Sequence, residues 1–102
     1  MPKVIIEYSE DSVEDMRAIF AYIAEDSFTN ALSTIDRMEQ AIDKLEENPE
    51  LGMSCRRKRV RFSCRIVIVG TYLIVYRYSN QTVRILRVLR DKQNYIGLMF
   101  NV

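Results

Sequence analysis

The chain has 102 residues, 48% hydrophobic and 28% charged, which specifies a single domain over residues 1–102 and excludes a multidomain enzyme. Three glycines and two prolines exclude collagen-like and low-complexity chains, and two cysteines are too few for a disulfide framework. The net charge of +1 conceals a division: residues 1–52 hold four bases against thirteen acids, and residues 53–102 hold eleven bases against one acid, Asp91. One half is therefore at −9 and the other at +10, a polarity that presents one strongly positive surface to anionic partners.

The opening MPKVIIEYSEDS reads as neither signal nor transit peptide. Residues 3–8 instead form a short strand rich in β-branched side chains. A helix follows from Asp11 to Glu25, started by the capping-box-like Ser12-Val-Glu-Asp15, with Val13, Met16, Ile19, Phe20 and Ile23 along one face. After Asp26-Ser27 a second helix carries Ala31, Ile35, Met38, Ile42 and Leu45 at alternating spacings of four and three. It ends at Asn48-Pro49-Glu50-Leu51-Gly52, where proline disfavours α conformation before it and Gly52 supplies a flexible exit. Two such helices with a short connection form an antiparallel hairpin, with Met16 and Met38 in its core.

From Cys55 the period becomes two. Arg59 to Phe62, Arg65 to Val69, Tyr72 to Tyr78 and Thr82 to Leu89 read as consecutive antiparallel strands, parted by Ser63-Cys64, Gly70-Thr71 and Asn80-Gln81. Tyr72, Ile74, Tyr76 and Tyr78 share one face; Leu73, Val75 and Arg77 share the other. The tyrosines fit sheet packing better than base stacking. The fold class is thus α+β, with an N-terminal strand and a helical hairpin packed on a mainly antiparallel sheet whose arginines form a cationic floor. The longest apolar stretch, Ile66 to Tyr76, spans eleven residues where a membrane helix needs about 20, so a cytoplasmic protein without a membrane partner is expected.

Cys55 and Cys64 lie nine apart, and in a reducing cytosol both are expected as free thiols. With no histidine in the chain they lack companions for a zinc site. No glycine-rich phosphate loop, nucleophile elbow or metal motif is present, so no cofactor is expected. In Arg56-Arg57-Lys58-Arg59 and Arg61, alternation sends Arg57, Arg59 and Arg61 to one side, either to bind an anion or to protect a solvated sheet edge. Leu98, Met99 and Phe100 form an apolar tail that either packs back or docks a partner.

Several runs together resemble one family. Asp15 with Tyr22-Ile23, the NPELG exit at 48–52, RIVIVGTYLIVYR at 65–77 and VRILRVLRDKQNY at 83–95 are similar to motifs of the RelE/ParE superfamily of type II toxin–antitoxin toxins, and closer to its ParE branch. The resemblance implies a toxin held inactive by a cognate antitoxin that wraps its sheet and helices. Arg57, Arg59, Arg61, Arg65, Arg77, Arg84, Arg87 and Arg90 are then the candidates for contact with antitoxin or target.

Two mechanisms follow from the two branches. RelE-like members are ribosome-dependent mRNA endoribonucleases, and that chemistry requires a proton acceptor, cations for the phosphorane and a donor to the leaving oxygen. Here Leu73 stands where ribonuclease members carry arginine after the hairpin tyrosine, Val67 replaces the second alternating cation, and Arg90 replaces a histidine. Only Arg65, Lys92 and Tyr95 would remain for catalysis. ParE-like members bind DNA gyrase and trap it on cleaved DNA, which needs no catalytic residue in the toxin, and an arginine-rich chain without histidine fits that better. A toxin fold that has lost toxicity is the third reading.

Overall fold

The computed structural model describes residues 3–55 and 64–90. The expected strand Arg59–Phe62, the cations Arg57, Arg59, Arg61 and Lys92, Tyr95 and the apolar tail lie outside the described residues. In chain order the elements are β1 (Ile5–Tyr8), α1 (Glu10–Ala24), α2 (Phe28–Asp43), a single 3-10 turn (Lys44–Glu46), β2 (Met53–Ser54), β3 (Arg65–Val69), β4 (Tyr72–Ser79) and β5 (Thr82–Leu89).

The start of α1 differs from the expected capping box. Its N-cap is Ser9, whose Oγ accepts from the Ser12 amide at 3.0 Å, while the buried Ser12 hydroxyl donates back to the Ser9 carbonyl at 2.8 Å. The chain leaves β1 in an extended conformation at Ser9, so the orphan amides of the first turn meet that hydroxyl first. Glu10 and Asp11 then sit against the positive end of the helix. Ser27 caps α2 in the same way, accepting from the Asn30 amide at 3.1 Å.

The strands form one sheet in the order β1-β5-β4-β3-β2, with β1 parallel to β5 and all other pairs antiparallel. The turn between β4 and β5 has positive φ at both Asn80 (51°) and Gln81 (62°), the mirror-image geometry whose twist matches a two-residue hairpin. A bulge opposite Val75/Tyr76 shifts the β5 register at Leu86.

Both faces of the sheet bury apolar side chains. Met38, Ile42 and Leu45 of the helical layer meet Ile74, Tyr76, Val83, Ile85 and Val88, and Tyr72 and Tyr78 pack against this core. Strand alternation sends Leu73 and Val75 to the opposite face, where they cluster with Leu89, Cys55 and Cys64. That face is therefore only partly the cationic floor expected: its centre is apolar, and Arg77 and Arg84, cross-strand neighbours, lie toward the β4–β5 turn.

The cysteines are not free thiols. Cys55 and Cys64 are joined by a disulfide with their Cα atoms 5.2 Å apart. Antiparallel pairing of Ser54 with Arg65 brings the next residues face to face, and the Cys55 amide donates to the Cys64 carbonyl at 2.9 Å. Compartment chemistry argued for thiols, whereas the strand register places the two sulfurs within bridging reach.

A candidate protein-docking groove

Beside its core-facing stripe, and sharing Ile35 with it, the helical hairpin carries a second apolar strip. Phe28, Leu32, Ile35 and Glu39 follow one another at spacings of four, three and four, which aligns them on one face of α2. Phe28 and Leu32 remain largely exposed, at 61% and 51%. Across from them, Val13, Met16 and Phe20 repeat along α1, and Phe20 meets Phe28 edge-to-face with ring centroids 5.7 Å apart.

Tyr8, at the end of β1, closes one side. The result is an open groove of about 420 Å³ lined by Tyr8, Val13, Met16, Arg17, Phe20, Ile35 and Glu39. Burial pushes the Tyr8 hydroxyl pKa above its ordinary value, and the nearby charges of Glu39 and Asp43 push it the same way. The groove is thus apolar along its floor, with Arg17, ion-paired to Glu14, in its wall and the carboxylates of Glu39 and Asp43 near Tyr8, suited to an amphipathic segment that brings a cation to the Tyr8 end. Sequence reasoning placed Phe20 on the apolar face of α1 and Met16 in the core, which Met16 does pack against while also lining the groove, and it passed over Phe28, Leu32 and Tyr8. The signal available was the 28/32/35/39 repeat, exposed at Phe28, Leu32 and Glu39 and joined at Ile35 to the buried stripe.

The arginines proposed for binding separate into distinct environments. Arg87 donates from Nε to Asp15 Oδ2 at 2.7 Å and from Nη2 to Asp15 Oδ1 at 2.9 Å, so its guanidinium ties β5 to α1. Those bonds hold its pKa above the ordinary arginine value, against the opposing effect of burial. Arg65 lies on the helix-facing side opposite Tyr76 and donates to the carbonyls of Gly52 at 2.8 Å and Glu50 at 3.1 Å. Arg84 stands beside Glu7 of β1 at 3.5 Å in an exposed pair that contributes little to stability. Arg90 lies 5.3 Å from the Tyr22 ring centroid, and Arg77 is exposed opposite Arg84.

The NPELG turn is held from beneath. Tyr76 is fully buried, and its hydroxyl donates to the Pro49 carbonyl at 2.8 Å while accepting from the Gly52 amide at 2.9 Å. Gly52 is needed for room rather than flexibility: a Cβ there would lie 2.8 Å from both Tyr76 Cε1 and the Tyr76 hydroxyl and 2.9 Å from the Ile66 carbonyl. Among the described residues no cluster of metal-ligating side chains occurs.

The hairpin, the docked turn and the three antiparallel strands are the parts that carry the motifs quoted above, and a family model matches them together. The model of the ParE toxin of type II toxin–antitoxin systems, parDE, covers residues 6–95. The chain belongs to the ParE toxin family. Among curated proteins none matches it. Its fold is similar to that of a chain in the chromosomal ParDE toxin–antitoxin system of P. aeruginosa, with a TM-score of 0.71 and 17% identity over 87% of this chain and 97% of that one. It is also similar to a chain of the RelBE2 toxin–antitoxin complex of Mycobacterium tuberculosis, with a TM-score of 0.62 and 22% identity over 87% of this chain and 99% of that one. In this ParE-family toxin, among the described residues, no helix is long and apolar enough to cross a membrane.

Proposed function

We propose that this ParE-family toxin arrests growth by binding DNA gyrase, and that a cognate antitoxin neutralises it by laying an amphipathic helix in the groove between α1 and α2. The observation that carries the antitoxin reading is the groove itself: an open apolar channel on the otherwise acidic half of the chain. A helix with one apolar stripe and a cation near Glu39 and Asp43 complements it in shape and charge. Exposed Arg77 and Arg84 on the opposite sheet face are the candidate contacts for acidic residues of antitoxin or gyrase.

Three placements support binding over RNA cleavage. Leu73, at the position where ribonuclease members carry arginine, is buried in the apolar cluster around the cysteines. Val67 packs against the main core. Arg65 is engaged by the backbone of the Glu50–Gly52 turn, and the chain has no histidine to move a proton at neutral pH.

The test is supercoiling by purified gyrase titrated with the toxin freed from its antitoxin. Dose-dependent loss of supercoiling with accumulating cleaved DNA is the expected result. Folded toxin that leaves gyrase untouched and yields discrete mRNA cuts on ribosomes would overturn it, with Lys92 and Tyr95 the first residues to substitute.

A further inference from the structure

Strand β2 contains only Met53 and Ser54, both exposed, and occupies the edge of the sheet beyond β3. A two-residue ladder supplies little pairing, so what fixes this edge lies at its flanks. Before it, Gly52 is held on the helix-facing side, its amide donating to the Tyr76 hydroxyl and its carbonyl accepting from Arg65. After it, Cys55 is held by the bridge to Cys64, with both cysteines nearly buried, at 3% and 4% exposure, against Leu73, Val75 and Leu89. The bridge is thus one of two clamps on the shortest strand among the described residues.

We propose that Cys55 and Cys64 form a reversible thiol–disulfide switch that locks the β2 edge to the sheet when oxidised and lets it open about Gly52 when reduced. Burial shields the sulfurs in the closed form, and fraying of a two-residue edge strand gives an attacking thiol its access. The exchange partner is the glutathione couple. In oxidation a Cys thiolate attacks one sulfur of glutathione disulfide, forming a mixed disulfide and releasing one glutathione thiolate. The second Cys thiolate then attacks the protein sulfur of that bond and releases the second glutathione. The two cysteines lose two electrons and glutathione disulfide gains them, their two thiol protons passing to the two glutathiones. The reduced form exposes the apolar cluster behind β2 at its edge, so antitoxin-free toxin persists longer under oxidising conditions than in the reducing cytosol.

The experiment equilibrates the full-length toxin in glutathione buffers of graded ratio, traps thiols by alkylation for mass analysis, and follows amide hydrogen exchange in parallel. The expected result is a two-thiol transition within that series. Exchange at Met53 and Cys55, whose amides face β3 in the alternating ladder, should accelerate about tenfold or more on reduction, while Ile74 and Ile85 change less than about twofold. Three results would each overturn the switch: thiols that stay alkylatable in excess glutathione disulfide, a bridge that resists reduced glutathione until the whole chain unfolds, or reduction with unchanged exchange at β2. A toxin with Cys55→Ser and Cys64→Ser should exchange at β2 as the reduced form does and ignore the glutathione ratio. Should that variant fail to fold, the wild-type titration decides the matter alone.

Discussion

Asp15 on α1 and Arg87 on β5, 72 positions apart in the chain, form a two-point ion pair at 2.7 and 2.9 Å, and Asp15 Oδ2 also accepts the Val88 amide at 2.9 Å. The reason lies in the sheet. β1 pairs with β5 as far as Ile85, and beyond that point no strand among the described residues lies along the outer edge of β5. Ser9 and Asp15 take over there, the Ser9 amide and hydroxyl donating to the Ile85 and Leu86 carbonyls and the Asp15 carboxylate accepting from Val88. The helix that leaves β1 thus finishes the edge that β1 leaves open.

Replacing Asp15 by alanine removes three hydrogen bonds, two of them from a mostly buried guanidinium, and should lower unfolding stability by about 2–3 kcal/mol. Asp15→Asn keeps an acceptor for the Val88 amide and should cost about half of that. Urea denaturation of both variants checks the order, and an alanine variant within about 0.5 kcal/mol of wild type would refute the role.

The Tyr76 hydroxyl satisfies two backbone groups of the NPELG turn at once, so Tyr76→Phe should lose about 1–2 kcal/mol. A pH effect accompanies it. Burial, the leading cause, raises the Tyr76 pKa in the folded chain above its ordinary value of 10.0, with Glu50 adding to it and the Gly52 hydrogen bond and Arg65 opposing. Above about pH 10 the unfolded chain releases this proton first, so the stability it contributes is intact below that pH and lost as pH rises through the folded pKa. Urea midpoints from pH 8 to 11 should fall more steeply for wild type than for the phenylalanine variant; parallel curves would contradict the assignment.

Two glycines should respond differently to alanine. At Gly52 the added methyl meets the Tyr76 ring and the Ile66 carbonyl, and overpacking of this kind costs about 2–3 kcal/mol. At Gly70 nothing lies within 4 Å, and the penalty is the backbone cost of its φ of +60°, about 1 kcal/mol. Thermal melts should rank the Gly52 variant lower, and equal losses would mean that the close approach at Gly52 is relieved.

Gln81 adopts a φ of 62° without being glycine. Gln81→Gly should therefore raise stability by about 0.5 kcal/mol, the relief of the left-handed conformation exceeding the added entropy of the unfolded chain. Its carbonyl, which accepts from the Ile5 amide at 2.9 Å, is unaffected by the change. A lowered melting temperature would show that the side chain contributes more than the strain.

For the groove, Glu39→Lys reverses the charge of an exposed residue in its lining without touching the core. Antitoxin affinity measured by calorimetry should fall about tenfold or more, some 1.4 kcal/mol, with the melting temperature little changed. Affinity equal to wild type would move the docking site away from the hairpin.

Periodicity along the chain was enough to determine the two helices, their packing faces and the three long strands, because apolar spacing is a local property: Ala31, Met38, Ile42, Ile74 and Tyr76 are buried where their spacing put them. The family motifs were legible for the same reason, each being a contiguous run. What each arginine does was decided only by the tertiary structure. Nothing within a few residues of Arg87 or Arg65 marks the one for Asp15 and the other for the backbone of Glu50 and Gly52, since those partners arrive from other elements. The disulfide depended likewise on the β2–β3 register, which brings Cys55 opposite Cys64, and the groove on how Tyr8 of β1 meets Val13, Met16 and Phe20 of α1 and Ile35 and Glu39 of α2. A sequence specifies which side chains seek burial or charge; which of them meet is settled by register and packing between segments distant in the chain.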